Sequence, residues 1–107
     1  MEPGNANNAG LPSQGMSRVH VHIHGRVQGV GFRAFVQEIG ARLELTGWVR
    51  NVGYDGVEAA AEGHRSALEH FIEEARRGPR SARVDDFRVD WETATGEFSR
   101  FEMSASR

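Results

Sequence analysis

The chain has 107 residues, 38% of them apolar and 26% charged, with a formal net charge of −2. That is one domain's length and one modest core. Its apolar runs fall short of the roughly 18 residues of a membrane span, no signal-peptide pattern opens it, and a slight acidic surplus disfavours a nucleic-acid binder. There is no Cys, and all thirteen basic residues are Arg. Disulfides, thiolate ligands, cysteine nucleophiles, Schiff-base lysines and the Walker-A lysine are therefore excluded. Any anion held by a cation here is held by the fork of an Arg.

Residues 1–17 read as a disordered tail with almost nothing to bury, and 18–107 as the folded domain. From Arg18 to His24 the sequence alternates, Val19, Val21 and Ile23 against His20, His22 and His24, which predicts a half-buried strand. Three glycines (Gly25, Gly29, Gly31) then interrupt the pattern. Phe32, Phe35, Val36, Ile39 and Leu43 form a helical stripe, weakened at Gly40. Thr46 to Asn51 is a second strand, with Gly47, Val49 and Asn51 on one face. Gly53-Tyr54-Asp55-Gly56 is a hairpin turn, Asp-Gly being tolerant of positive φ. Val57 to Glu62 returns as a third strand.

A second helix carries Leu68, Phe71, Ile72 and Ala75, with Ser66 and Glu69 as a capping box unless it starts at His64. Arg65–Glu69 and Glu73–Arg77 are spaced as i,i+4 ion pairs, and Gly78-Pro79 stops the helix. Phe87, Val89 and Trp91 mark a fourth strand, and Phe98 to Met103 a short fifth. The order β-α-β-β-α-β plus a short strand is the ferredoxin-like split βαβ of the α+β class. It predicts a mainly antiparallel sheet with both helices on one face.

Such a fold hosts many functions, so function must come from a site. Glycines between a strand and a helix let backbone N–H groups converge beside a positive helix N-terminus, which makes an anion cradle. The plain alternative is a tight turn with a surface Arg. Arg33 sits in the first helical turn, against its own helix dipole, and that placement suggests a negative partner. Asn51, at a strand end, is either a local turn residue or an amide that orients a water. His20, His22 and His24 point one way along a strand, yet no fixed Asp, Glu or Cys partner is evident, so a solvent-facing sheet surface is expected and no metal site.

Gly25-Arg26-Val27-Gln28-Gly29-Val30-Gly31-Phe32-Arg33 resembles the signature of the acylphosphatase family, and Gly47-Trp48-Val49-Arg50-Asn51 resembles its second signature. Asp55-Gly56-Val57-Glu58, Glu62-Gly63, Gly78-Pro79 and Phe98/Phe101 agree as well, over about residues 18 to 103. The resemblance implies hydrolysis of carboxyl-phosphate mixed anhydrides without metal or cofactor. It implies that Arg33 is the catalytic, phosphate-binding arginine, that Asn51 positions the attacking water, and that the backbone of Arg26, Val27, Gln28, Gly29, Val30 and Gly31 cradles the phosphate. The expected partners are a small acyl phosphate and the product inorganic phosphate, with no nucleic acid and no membrane, in a cytoplasmic monomer. The alternatives are a non-catalytic ferredoxin-like binding module, and a carbamoyl-phosphate-handling domain like those of hydrogenase-maturation proteins. Against the first, the third strand offers no aromatic platform for bases; against the second, those domains belong to much longer chains.

Overall fold

A computed structural model describes residues 15–107. The elements run β1 (Met16–Arg26), α1 (Phe32–Arg42), β2 (Thr46–Val52), β3 (Gly56–His64), α2 (Arg65–Arg77), β4 (Arg83–Glu92) and β5 (Phe101–Met103). They form a five-stranded sheet in the order β4-β1-β3-β2-β5. Three pairings are antiparallel, and β2 with β5 is parallel. The expected tail lies outside the described residues up to position 14, while Met16 and Ser17 are the first residues of β1, paired with His64 and Gly63.

Strand alternation sorts the two faces of the sheet. Val19, Val21, Ile23, Val49, Val57, Ala59 and Ala61 are buried on the helix-covered face, against Phe32, Val36 and Ile39 of α1 and Leu68 and Phe71 of α2. Burying each large side chain is worth about 1.5–3 kcal/mol, so three from α1 outweigh the roughly 1 kcal/mol that Gly40 costs its interior. Gly40 is moreover buried itself, and the Phe101 ring stands where a side chain would.

Three local expectations are corrected. The Ser66/Glu69 capping box does not form: His64, the last residue of β3, is the N-cap, in extended conformation, and Ser66 falls inside α2. The strand runs straight into the helix and leaves no room for a Ser cap. In the β2–β3 turn the positive φ belongs to Gly53 (63°), not to Gly56, which opens β3 and is needed because a Cβ there would meet the Val52 carbonyl at 2.8 Å. Among the described residues Arg65–Glu69 pairs at 3.3 Å, but Glu73–Arg77 does not; Glu74 takes Arg42 of α1 at 2.6 Å instead, clamping the two helices together.

The link from β4 to β5 must cross the whole sheet, from one edge to the other. Four strand spacings are about 19 Å, within reach of the nine steps from Glu92 to Phe101 at roughly 3.3 Å each. Glu62 of the middle strand holds this crossing. Its carboxylate, 3% exposed, accepts from the Thr95 and Gly96 amides at 2.8 and 2.9 Å and lies 3.4 Å from Arg18. The crossing lies over the start of β1, leaving the other end of the sheet open.

Candidate active site

β1 and β2 both run antiparallel to β3, so they point the same way and end at the same end of the sheet. The loop 27–31 and Asn51 are therefore brought together although β3 separates their strands. The Gln28 side-chain amide fixes the loop there. Its nitrogen donates to the carbonyls of Val52, Gly53 and Gly56 at 3.3, 3.1 and 2.9 Å, tying the loop to the β2–β3 turn. Gly25 N–H adds a bond to the Asp55 carbonyl at 3.0 Å.

The loop backbone itself is free to bind. Gly29 and Gly31 have φ of 75° and 78°, the left-handed region that L side chains avoid, and nothing stands within 4 Å of either position where a Cβ would be. Among the described residues, none of the N–H groups of residues 28–31 donates to a backbone carbonyl. Gly31 is the N-cap of α1, with no side-chain cap and no acidic residue in the first turn. Donors and the positive helix end thus face solvent without an internal partner.

Arg33 and Asn51 line one cavity of about 170 Å³, together with Val27, Gly29, Gly31, Phe32, Ala34 and Met103. That is several water volumes, and less than the roughly 300 Å³ at which drug-sized pockets begin. It suits a small charged head group with the rest of the ligand outside. Among the described residues Arg33 makes no ion pair. The Asn51 carbonyl accepts from Arg107 N–H at 2.9 Å, so the backbone is satisfied by the C-terminal segment and the side-chain amide is left to the cavity.

Not every expected site residue lines the cavity. Arg26 is exposed at the end of β1, opposite Arg83, and Val30 packs on the core with its carbonyl accepting from the Ser81 hydroxyl at 3.3 Å. Gln28 serves as the loop's anchor. Met103, 41% exposed, is a lining residue the sequence did not single out. It arrives because β5 pairs parallel with β2, placing Met103 opposite Val49, and a three-residue strand carries no periodicity from which to read a partner.

The acylphosphatase family pattern matches residues 19–103. The chain belongs to the acylphosphatase family. An acylphosphatase of Salinibacter ruber is 49% identical over 86 residues, covering 80% of this chain and 90% of its own. One of Pyrobaculum aerophilum is 49% identical over 90 residues, covering 82% and 94%. The crystal structure of the Bacillus subtilis acylphosphatase superposes with a TM-score of 0.79 at 36% identity, covering 82% of this chain and 98% of that one. Acylphosphatases are hydrolases acting on acid anhydrides, and this chain shares both their signature loop and their fold. No helix among the described residues is long and apolar enough to cross a membrane.

Proposed function

We propose that this acylphosphatase hydrolyses small acyl phosphates to carboxylate and inorganic phosphate by direct attack of water, with Arg33 and Asn51 as its catalytic residues. The supporting observation is one cavity that holds an Arg, an amide and a loop whose N–H groups, among the described residues, have no ion-pair partner, no side-chain hydrogen bond and no backbone acceptor respectively. The loop amides and the Arg33 guanidinium take the non-bridging phosphoryl oxygens. The Asn51 amide orients a water in line with the scissile P–O bond. The water oxygen forms the new bond to phosphorus, and the electron pair of the breaking bond leaves on the acyl carboxylate. One water proton passes to a phosphoryl oxygen of the substrate.

An acyl phosphate suits this equipment because carboxylate is already a good leaving group. Positioning and charge stabilisation then matter more than a strong base. Among the described residues the cavity lining contains no Asp, Glu, His or Cys, so it offers neither a general base nor the carboxylate, imidazole or thiolate ligands a catalytic metal prefers. With no Cys the fold needs no oxidising compartment, which is compatible with a cytoplasmic setting. The deciding assay is phosphate release from a generic acyl phosphate and from a phosphate monoester, both with EDTA. Rapid release from the first alone is expected; turnover that EDTA abolishes and zinc restores would overturn the mechanism.

A further inference from the structure

The sheet face away from the helices is a lattice of side chains in register. One row reads Arg50, Glu58, His22, Arg88 across β2, β3, β1 and β4; the next reads Trp48, Ala60, His20, Asp90. The small Ala60 lets Trp48 and His20 meet edge to face at 5.8 Å. His20 leans back over His22, their rings stacked at 4.6 Å, and its Nε2 hydrogen-bonds Glu58 Oε2 at 2.5 Å. The proposed reaction uses none of these groups.

We propose that His20, His22 and Glu58 form a binding site for a divalent transition metal of the zinc class, separate from the catalytic cavity. Each offers one donor atom, and the three donors lie within 4.8 Å of one another. Donors on a tetrahedral zinc at about 2.0–2.2 Å from the ion stand roughly 3.3 Å apart. His20 Nε2 and Glu58 Oε2, now 2.5 Å apart, must open by about 0.8 Å to admit the ion, and the widest donor pair must close by up to about 1.5 Å, movements that the soft χ2 torsion of an imidazole can supply. Two imidazoles and one carboxylate select zinc, copper or nickel over calcium or magnesium.

The surroundings hold the ligands in place. Arg50 grips Glu58 Oε1 through Nε and Nη2 at 2.9 and 2.7 Å and is itself seated on Trp48, so Oε2 stays turned toward His20. A metal ion there would replace the proton shared by His20 and Glu58. The side chains of His20 and Glu58 are 24% and 13% exposed, sheltered yet reachable from solvent. The charged groups around them are the carboxylates of Glu58, Asp90 and Glu92 and the guanidinium groups of Arg50, Arg88 and Arg18, three of each sign, so the surroundings are balanced and carry no positive surplus to repel a dication.

The test is a titration of the full, tag-free chain with Co²⁺ and then Zn²⁺, followed by cobalt absorption and by the ring-nitrogen NMR signals of its five histidines. Expected are one equivalent bound with intense four- or five-coordinate cobalt bands, displaced by zinc, and metal-induced shifts at His20 and His22 but not at His24, His64 or His70. His22→Ala should weaken binding more than about 100-fold, beyond the 10–100-fold of a merely supporting group, and leave acyl phosphate turnover unchanged. His24→Ala should bind as wild type. Equal shifts at all five histidines, weak six-coordinate cobalt, or undiminished binding in folded His22→Ala would overturn the site. The NMR result on unaltered protein stands even if that variant fails to fold.

Discussion

Arg33 occupies a position that works against its own helix, near the positive end of α1 with no acidic residue in that turn. The energetic penalty is small, and an anionic ligand in the cavity would offset it. Arg33→Ala should therefore raise KM and collapse kcat together, since it removes ground-state and transition-state contacts at once. Losing one charge-stabilising donor costs about 2.7–4 kcal/mol, roughly 10²–10³ in rate, and a charged fork more. Arg33→Lys should rescue poorly, because an ammonium cannot make the planar two-point contact. Asn51→Ala should depress kcat while sparing competitive inhibition by phosphate, as loss of near-attack geometry alone would. Comparing phosphate inhibition constants in the two variants, once circular dichroism shows both folded, tests this division; an equal loss in both would refute it. Arg33 and Asn51, which line one cavity, could be singled out in the sequence because each closes a glycine-bearing motif, Gly25 to Arg33 and Gly47 to Asn51. Met103 was not, since its place depends on a parallel pairing across the sheet edge.

At the scale of elements, alternation and helical stripes carried most of the fold, because burial on one face is what those patterns encode. The features that escaped depend on neighbours distant in sequence. Glu58 became the partner of His20 only through the pairing of β1 with β3, 38 residues apart. The 93–98 crossing is irregular and shows no period, and its anchor Glu62 looked like an ordinary outward residue of an alternating strand. Gly40 shows the same dependence. In the sequence it is a weakness in a helix; in the fold it makes room for Phe101 of β5, whose ring atoms stand 2.4 to 2.7 Å from where a Cβ would be. Gly40→Ala gains about 1 kcal/mol of helix propensity. Overpacking against a buried ring costs about 1–3 kcal/mol, and the second effect should win. The variant should melt below wild type by a few degrees. A higher melting temperature would mean that the Phe101 ring moves aside freely.

For the molecule as a whole, residues 1–14 carry one charge and few apolar groups, so their deletion should change neither melting temperature nor turnover. Acid should matter far more. Burial pushes the Glu62 carboxyl up, but the Thr95 and Gly96 amides, the Thr95 hydroxyl and Arg18 outweigh it and hold its pKa below the ordinary 4.5. Burial likewise pushes Glu58 up, and Arg50 and His20 more than reverse it. A carboxyl whose folded pKa is depressed stabilises the fold fully above its unfolded value, and that stabilisation is lost as pH falls through the folded one. Both glutamates therefore predict a loss of stability that begins near pH 4.5 and deepens below it. His22 adds an earlier loss, because its depressed pKa makes the unfolded chain the better proton binder below about 6.5. Glu62→Gln isolates the more deeply buried of the two carboxyls. At neutral pH it should lower the melting temperature, since hydrogen bonds to a charged group are worth about 1.5–3 kcal/mol each and an amide nitrogen would now face the Thr95 or Gly96 N–H. As pH falls below 4.5 the unfolded wild-type carboxyl takes up its proton before the folded one and the advantage shrinks, so the two melting curves should converge. Melting temperatures that stay a constant distance apart from pH 7 to pH 3 would show that Glu62 does not couple the sheet-crossing segment to protonation.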